Sequence, residues 1–458
     1  MPHTTLSYSY LFSFYPQMPI SSSASTDMKT TTIPEIKMYL KIVACLILMA
    51  FAYRIYFLSF LQISPVIPLV ADDDDASSIS PSPPSVAANF TLSGQIPANV
   101  TGDDDSSSRC DIFVGEWIRD PSGPRYTNRS CHTIEHHQNC MKNGRPDSGY
   151  IYWRWRPRDC ELPTFDPQRF LDLMRKKSMA FIGDSISRNH VQSLLCVEQP
   201  IEVYHDEEYR SKRWFFDSHK FTLSVIWSPF LTQAKIFEDN DGHASGAVRL
   251  HLDEPDSEWA NEFGNFDYIH MGAGQWFLKT AIYYENNTIV GCHNCKKENV
   301  SELGFVYAYR KALQTALNFI MRSDHTVHAL LRTTIPDHFE NGEWNTGGYC
   351  NRTVPFKEGE IELRYIDTIM RDVELEEMKA VGAMNPSRKG STLKLFDTTH
   401  LSLLRPDGHP GPYRAFHPFD GKDTKSKVQN DCLHWCLPGP IDSWNDLLMN
   451  ILLRVDLQ

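Results

Sequence analysis

The chain has 458 residues, 41% hydrophobic and 22% charged, with a formal net charge of −12. That is enough apolar sequence for a sizeable core, and the acidic balance excludes a duplex nucleic-acid binder, which needs a basic surface to displace counterions. Part of the acidity is local, because Asp72 to Asp75 and Asp103 to Asp105 lie in low-complexity sequence.

Residues 42–61, IVACLILMAFAYRIYFLSFL, form a run of 20 with one charge, Arg54. A helix of that length crosses a bilayer. Lys29, Lys37 and Lys41 precede the run and acids follow it. The positive-inside rule therefore places residues 1–41 in the cytosol and everything beyond about residue 62 across the membrane. The absence of a small-residue cleavage site predicts an uncleaved, single-pass signal anchor. Residues 62–109, rich in Ser, Pro, Asp and Ala, read as a disordered stem.

Six acceptor sequons, at Asn89, Asn99, Asn128, Asn286, Asn299 and Asn351, all follow the anchor. So do ten of the 11 cysteines, an even number on the oxidising side of the membrane, which predicts disulfides. Cys131-His132, His136, His137 and Cys140 look like half a zinc site, as does Cys292-His293-Asn294-Cys295. Neither has a partner pair at the usual spacing, so disulfides are expected there and no metal.

From Cys110 to the C-terminus the chain reads as one folded unit: a cysteine-rich section at 110–165 and a core at 166–458. Apolar runs at 178–185, 266–272, 325–334 and 392–399 read as buried strands leading into polar loops. Helices are expected at 187–196, 302–322 and 360–382. Such alternation implies an α/β fold with a parallel sheet covered on both faces, its chemistry beyond the carboxyl ends of the strands. Tyr150, Tyr152, Trp153, Arg154, Trp155 and Arg156 read as a half-buried strand, aromatics in and arginines out.

FIGDSISRNH places Ser185 where the first core strand stops. A serine hydroxyl needs an adjacent base to act as a nucleophile. NDCLHWCLPGPIDSWNDLL supplies one: Asp431 and His434 are three apart, so one turn sets the carboxylate to orient the imidazole. Cys432 and Cys436 flank His434 and would fix this loop if bridged elsewhere. The Ser185 amide, with Gly274 or Asn189, is the expected oxyanion hole. Asp184 and Arg188 complete the immediate surroundings of the nucleophile. Trp276, Trp435 and Trp444 are expected to line a sugar site, and Glu343 and Trp344, in the turn-rich HFENGEWNTGG, to reach acceptor hydroxyls.

Taken together, CDIFVGEWIRD, HHQNCMKNGRPDSGYIYWRWRPRDCELP, FIGDSISRNH, HFENGEWNTGGYC and NDCLHWCLPGPIDSWNDLL resemble the plant trichome birefringence-like family of polysaccharide O-acetyltransferases. That family has an SGNH/GDSL-like core. The resemblance spans 110 to about 455 and implies a type II Golgi membrane protein, with its catalytic domain in the lumen, that acetylates a wall hemicellulose. Ser185, Asp431 and His434 map onto the family triad. The pairs Cys110–Cys160 and Cys131–Cys196 are likewise implied by the resemblance alone. The family's Gly-His-Trp segment reads Gly274-Gln275-Trp276 here, so no essential role is expected for position 275. The implied acceptor is xyloglucan first, then mannan or xylan. An acetyl donor is required, which a membrane partner could supply, and no tightly bound cofactor. The competing functions are a carbohydrate acetyl esterase and a non-catalytic wall-polysaccharide-binding protein.

Overall fold

Two antiparallel strands, β1 (Gly115–Arg119) and β2 (Trp153–Pro157), open the folded chain. The computed structural model describes residues 110–456, except 197, 199, 237–245, 297, 385–390 and 421–427. The expected anchor, the stem, Asn89 and Asn99 lie outside the described residues. Among the described residues no helix is long and apolar enough to cross a membrane.

The strands that follow are β3 (Ser178–Gly183), β4 (Ile201–His205), β5 (Lys212–Phe216), β6 (Phe221–Trp227), β7 (Thr232–Lys235), β8 (Val248–Pro255), β9 (Tyr268–Gly272), β10 (Ala281–Glu285), β11 (Thr288–His293), β12 (His328–Arg332) and β13 (Thr392–Phe396). Seven of them form the main sheet, in the order β13-β12-β9-β3-β6-β5-β4. The first five pair in parallel. The expected all-parallel sheet is corrected at one edge, where β4 and β5 run antiparallel. Their links, 206–211 and 217–220, are too short for a parallel crossover, which takes a dozen residues or more. A second sheet, β11-β10-β8-β7, had no counterpart in the expected strands.

Period-two alternation gives the main sheet two apolar faces. Met179 and Phe181 of β3 point into one core, shared with the helices Pro167–Leu173, Ser185–Leu194 and Asp442–Asp456 and with the cysteine-rich section. Ala180 and Ile182 point into the other, under Gly304–Arg322, Tyr365–Met384 and the second sheet. In the aromatic stripe, Tyr150 and Trp155 are buried and Arg156 is exposed, as expected. Tyr152 instead faces out, because residues 149–151 form a 3-10 turn that breaks the alternation.

β3 lies where the strand order reverses: the chain leaves it for β6 on one side and later returns to β9 on the other. A crevice opens beyond the strand ends at such a point. The approach is tight. A Cβ on Gly183, whose φ is 152°, would sit 2.1 Å from the Gly272 carbonyl oxygen, so only glycine lets β3 end there.

Candidate active site

Ser185 is the first residue of the Ser185–Leu194 helix, directly after β3. Asp184 caps that helix, its Oδ1 accepting the Ile186 amide at 3.0 Å. Its carboxylate also lies 3.5 Å from the buried Arg332 guanidinium at the end of β12. In the first turn the Ser185 amide has no intrahelical acceptor, so the chain presents a free donor beside the hydroxyl.

Ser185 Oγ lies 2.7 Å from His434 Nε2, and His434 Nδ1 lies 2.9 Å from Asp431 Oδ2. The link between Asp431 and His434 is not the helical turn that their spacing allows. Asp431 Oδ1 accepts the backbone amides of Leu433 at 3.2 Å and His434 at 3.0 Å, so the carboxylate folds the loop that carries its own partner. Burial pushes the Asp431 carboxyl up. The facing imidazole, its hydrogen bonds and Arg414 outweigh that and hold it well below the ordinary carboxylate range.

Disulfides staple this loop on both sides. Cys350 bridges Cys432, one residue past Asp431, and Cys140 of the N-terminal section bridges Cys436, two past His434. The other bridges are Cys110–Cys160, Cys131–Cys196 and Cys292–Cys295. Both zinc-like clusters are therefore disulfides. His137 sits with its ring 6.4 Å from that of His434. Burial, with some repulsion from His434 and Arg188, pulls its pKa down to about 4 against the pull of Glu135 and Asp431, which leaves it a neutral neighbour of the imidazole.

Ser185 and His434 open on a cleft of ≈ 650 Å³. Gly274, Trp276, Glu343 and Trp344 line it, as the sequence predicts. Two tryptophans do not. Trp435 is fully buried and stacks on His409 at 4.4 Å, and Trp444 is buried against His190 at 5.3 Å. Trp444 belongs to the inner stripe of the Asp442–Asp456 helix, with Leu447, Leu448, Ile451, Leu452 and Val455, and that stripe faces the core. Asn189 is not an oxyanion donor either. Wholly buried, it accepts the Trp435 amide at 2.7 Å and donates to the Trp435 carbonyl at 3.3 Å, bracing the nucleophile helix against the His434 loop. Arg188 points away from the cleft and stacks over Trp227 at 5.0 Å.

The structure adds Asp337, Arg364 and Glu374, which the sequence reading passed over, and Gln275, for which it expected no essential role. Gln275 lines the cleft and donates to Asp337 Oδ2 at 2.8 Å. Arg364 grips the same carboxylate with two bonds, at 2.9 and 2.8 Å, and reaches Asp367 at 2.7 Å. The signal was present: Arg332 ends β12 and Thr334 and Asp337 follow it, where polar residues serve a site rather than a core. Behind them Glu374 is buried and accepts the Thr334 amide at 2.8 Å, together with the Tyr309 hydroxyl. Burial pushes its carboxyl up to about 8, against the lowering pull of those bonds and of Arg332.

Among the sequons, Asn286, Asn299 and Asn351 are exposed and Asn128 is half-buried.

Two family patterns match the chain end to end of its folded part. The PMR5 N-terminal domain matches residues 108–161, and the GDSL/SGNH-like acyl-esterase family found in Pmr5 and Cas1p matches residues 162–451. The chain is 51% identical over 432 residues to trichome birefringence-like protein 25 of Arabidopsis thaliana, covering 92% of this chain and 94% of that one. It is 45% identical over 350 residues to xyloglucan O-acetyltransferase 1 of the same plant, covering 75% and 80%. With xyloglucan O-acetyltransferase 2 of Populus trichocarpa it shares 44% identity over 358 residues, covering 76% and 83%. A serine at the end of the central strand, in line with a His and an Asp from one late loop, thus meets a match across most of the chain: the protein belongs to the GDSL/SGNH-like acyl-esterase family found in Pmr5 and Cas1p, among its trichome birefringence-like members.

Proposed function

We propose that this chain is a polysaccharide O-acetyltransferase that carries an acetyl group on Ser185 to a hydroxyl of a plant wall hemicellulose, with xyloglucan the first acceptor. One observation carries the reading: Ser185, His434 and Asp431 are hydrogen-bonded in line at the mouth of a cleft of ≈ 650 Å³. That volume takes a few sugar rings, and Trp276 and Trp344 are among the side chains that line it.

In the first half, His434 Nε2 takes the Ser185 proton as Oγ attacks the carbonyl carbon of the donor. The bond from that carbon to the leaving group breaks, and the leaving group receives the proton from His434. In the second half a sugar hydroxyl gives its proton to His434, its oxygen attacks the acetyl-serine carbonyl, and Ser185 Oγ departs with the proton. Asp431 stays ionised throughout and stabilises the imidazolium. The amides of Ser185 and Gly274 are the oxyanion donors in this scheme. Arg188 and Asn189 support the helix and loop rather than the reacting atoms.

Residues 42–61 serve as a type II Golgi anchor in this reading, with the stem and the catalytic part (110–458) in the lumen. The five disulfides and the sequons suit that compartment. No tightly held cofactor enters the scheme. The full-length chain, in detergent, is incubated with an acetyl ester donor and defined xyloglucan, mannan and xylan oligosaccharides. Acetylated xyloglucan that disappears in Ser185→Ala is the expected result. Acetylation of mannan or xylan instead moves the acceptor. Acetate released to water from acetylated glycan, without transfer, makes the chain an esterase, and glycan retention with neither reaction makes it a binding protein.

A further inference from the structure

Beneath His434 lies a row of four ring nitrogens between two carbonyls. His409 Nδ1 is 2.7 Å from the His434 carbonyl oxygen, His409 Nε2 is 2.7 Å from His338 Nδ1, and His338 Nε2 is 2.8 Å from the Leu403 carbonyl oxygen. Both imidazoles are buried, at 3% and 8% exposure.

A count of protons constrains this row. A carbonyl oxygen only accepts, so His409 Nδ1 and His338 Nε2 must both carry hydrogen. The ring-to-ring contact needs hydrogen on one of its two nitrogens. Three hydrogens on two imidazoles make one positive charge, whereas two neutral rings carry two and leave lone pairs facing at 2.7 Å. We propose that His338 and His409 share one extra proton as a buried pair, and that the charged pair positions His434 by holding its backbone carbonyl. They are positioning residues, not catalytic ones, and the proposal rests on His434 serving as the base.

The charges around the pair fit such a cation. Asp337 adjoins His338, and Asp337 and Asp367 together share the single Arg364, a net negative charge on that side. Asp407 is neutralised by Arg405 through buried bonds. Arg145, which donates to the backbone carbonyls of His409 and Asp407 at 2.8 and 2.7 Å, is neutralised by Asp147 through two bonds of 2.9 Å. On the far side stand Asp431 and His434, themselves a pair. Burial acts against the charge and lowers both imidazoles. The extra proton is therefore lost as pH rises through the value belonging to the pair. One of the three bonds then fails, and the grip on His434 loosens.

The test reads Ser185 itself, whatever the natural donor and acceptor are. The rate at which a fluorophosphonate probe labels the full-length protein is followed from pH 5 to 9, with Ser185→Ala as the blank. In His338→Gln one amide NH2 donates both to His409 Nε2 and to Leu403, so the row closes without charge. The expected result is a labelling rate within about threefold of wild type near pH 6 that lacks the wild-type fall on the alkaline side. His338→Leu leaves His409 without its second bond and is expected to label about tenfold more slowly or worse, at an unchanged thermal midpoint for probe-free protein within a few degrees. Superimposable pH profiles for wild type and His338→Gln overturn the shared proton, as does equal labelling by folded His338→Leu for the positioning role. Should His338→Leu fail to fold, the Gln profile alone decides. Probe uptake by Ser185→Ala equal to wild type would sink the nucleophile assignment instead, which is a different failure.

Discussion

The two halves of the site are held by different means. The nucleophile stands on regular backbone: a buried parallel strand, a glycine that lets the strand end close to its neighbour, and a capped helix that starts at once. The acid–base half stands on irregular backbone, a loop with no helix or strand of its own across residues 432–440. Two disulfides, a backbone bridge from Asp431 to Gly411 and the folded-back Asp431 carboxylate hold that loop. Secondary structure can position a group through neighbours in the sequence. A loop must borrow its rigidity from distant chain, and here much of it comes from the N-terminal section through Cys140, bridged to Cys436, and Arg145, which donates to the Cys436 sulfur.

Breaking each half should therefore look different. Ser185→Ala removes the nucleophile and should abolish transfer, by about 10⁵-fold or more if the residue acts as its counterparts do in other triads, with the thermal midpoint unmoved. Asp431→Asn should cost about 10³–10⁴-fold in kcat. It should also lower the midpoint, because it weakens the bonds that shape the loop. For the wild type, the depressed carboxyl of Asp431 gives a signed expectation. Its contribution to stability is present above the unfolded carboxylate value near ~4 and is lost only as pH falls through that value and below. Loss of activity between pH 7 and 5 must then come from a group other than Asp431. Kinetics and melting curves on the two variants check both points.

The staples provide the next contrast. Cys350–Cys432 closes a separation of 82 residues and Cys292–Cys295 one of only 3. Replacing the first pair by alanines should cost about 4–5 kcal/mol of stability on the chain-entropy argument, and slow turnover at temperatures where the fold survives. The second pair lines no part of the cleft, and replacing it should leave kcat unchanged. Equal effects on kcat would show that the loop does not depend on its bridges.

The same division separates what was legible in the sequence from what was not. Strands β3, β9, β12 and β13 and the helix after Ser185 announce themselves by apolar runs and period, a signal that each segment carries in its own residues although the strands' sheet partners lie far away in the chain. Asp431 and His434 are visible as a spacing, yet what joins them is an amide-accepting carboxylate rather than a helical turn, which spacing alone does not distinguish. Trp435 and Trp444 invite a sugar-binding reading because they sit beside His434 in sequence. In space they turn inward, and for Trp444 the apolar repeat to Val455 carries that information. Gln275, Asp337 and Arg364 meet only because three separate connections converge on the cleft. No window of the sequence contains such a contact. The antiparallel edge strands and the second sheet were missed for a milder reason, their exposed or half-exposed segments lacking long apolar runs.

Asn189 joins the two halves, and its removal is a smaller but sharper test. Asn189→Ala leaves the Trp435 amide buried without an acceptor, a loss of about 1–3 kcal/mol. The nucleophile helix keeps its cap and the loop keeps its disulfides, so each half remains built and only their alignment is released. A near-attack geometry tolerates little slack, and displacements of about 1 Å can cost up to 10²-fold. The expected outcome is a kcat lowered about tenfold, with KM for the oligosaccharide close to wild type, because the cleft walls at Trp276 and Trp344 do not depend on Asn189. A rise in KM at constant kcat would mean that the brace shapes the cleft instead. The two halves would then be aligned by the core packing of Trp435 and Trp444 and by the bonds from His190 and Ser193 to Asn445 and Asp442.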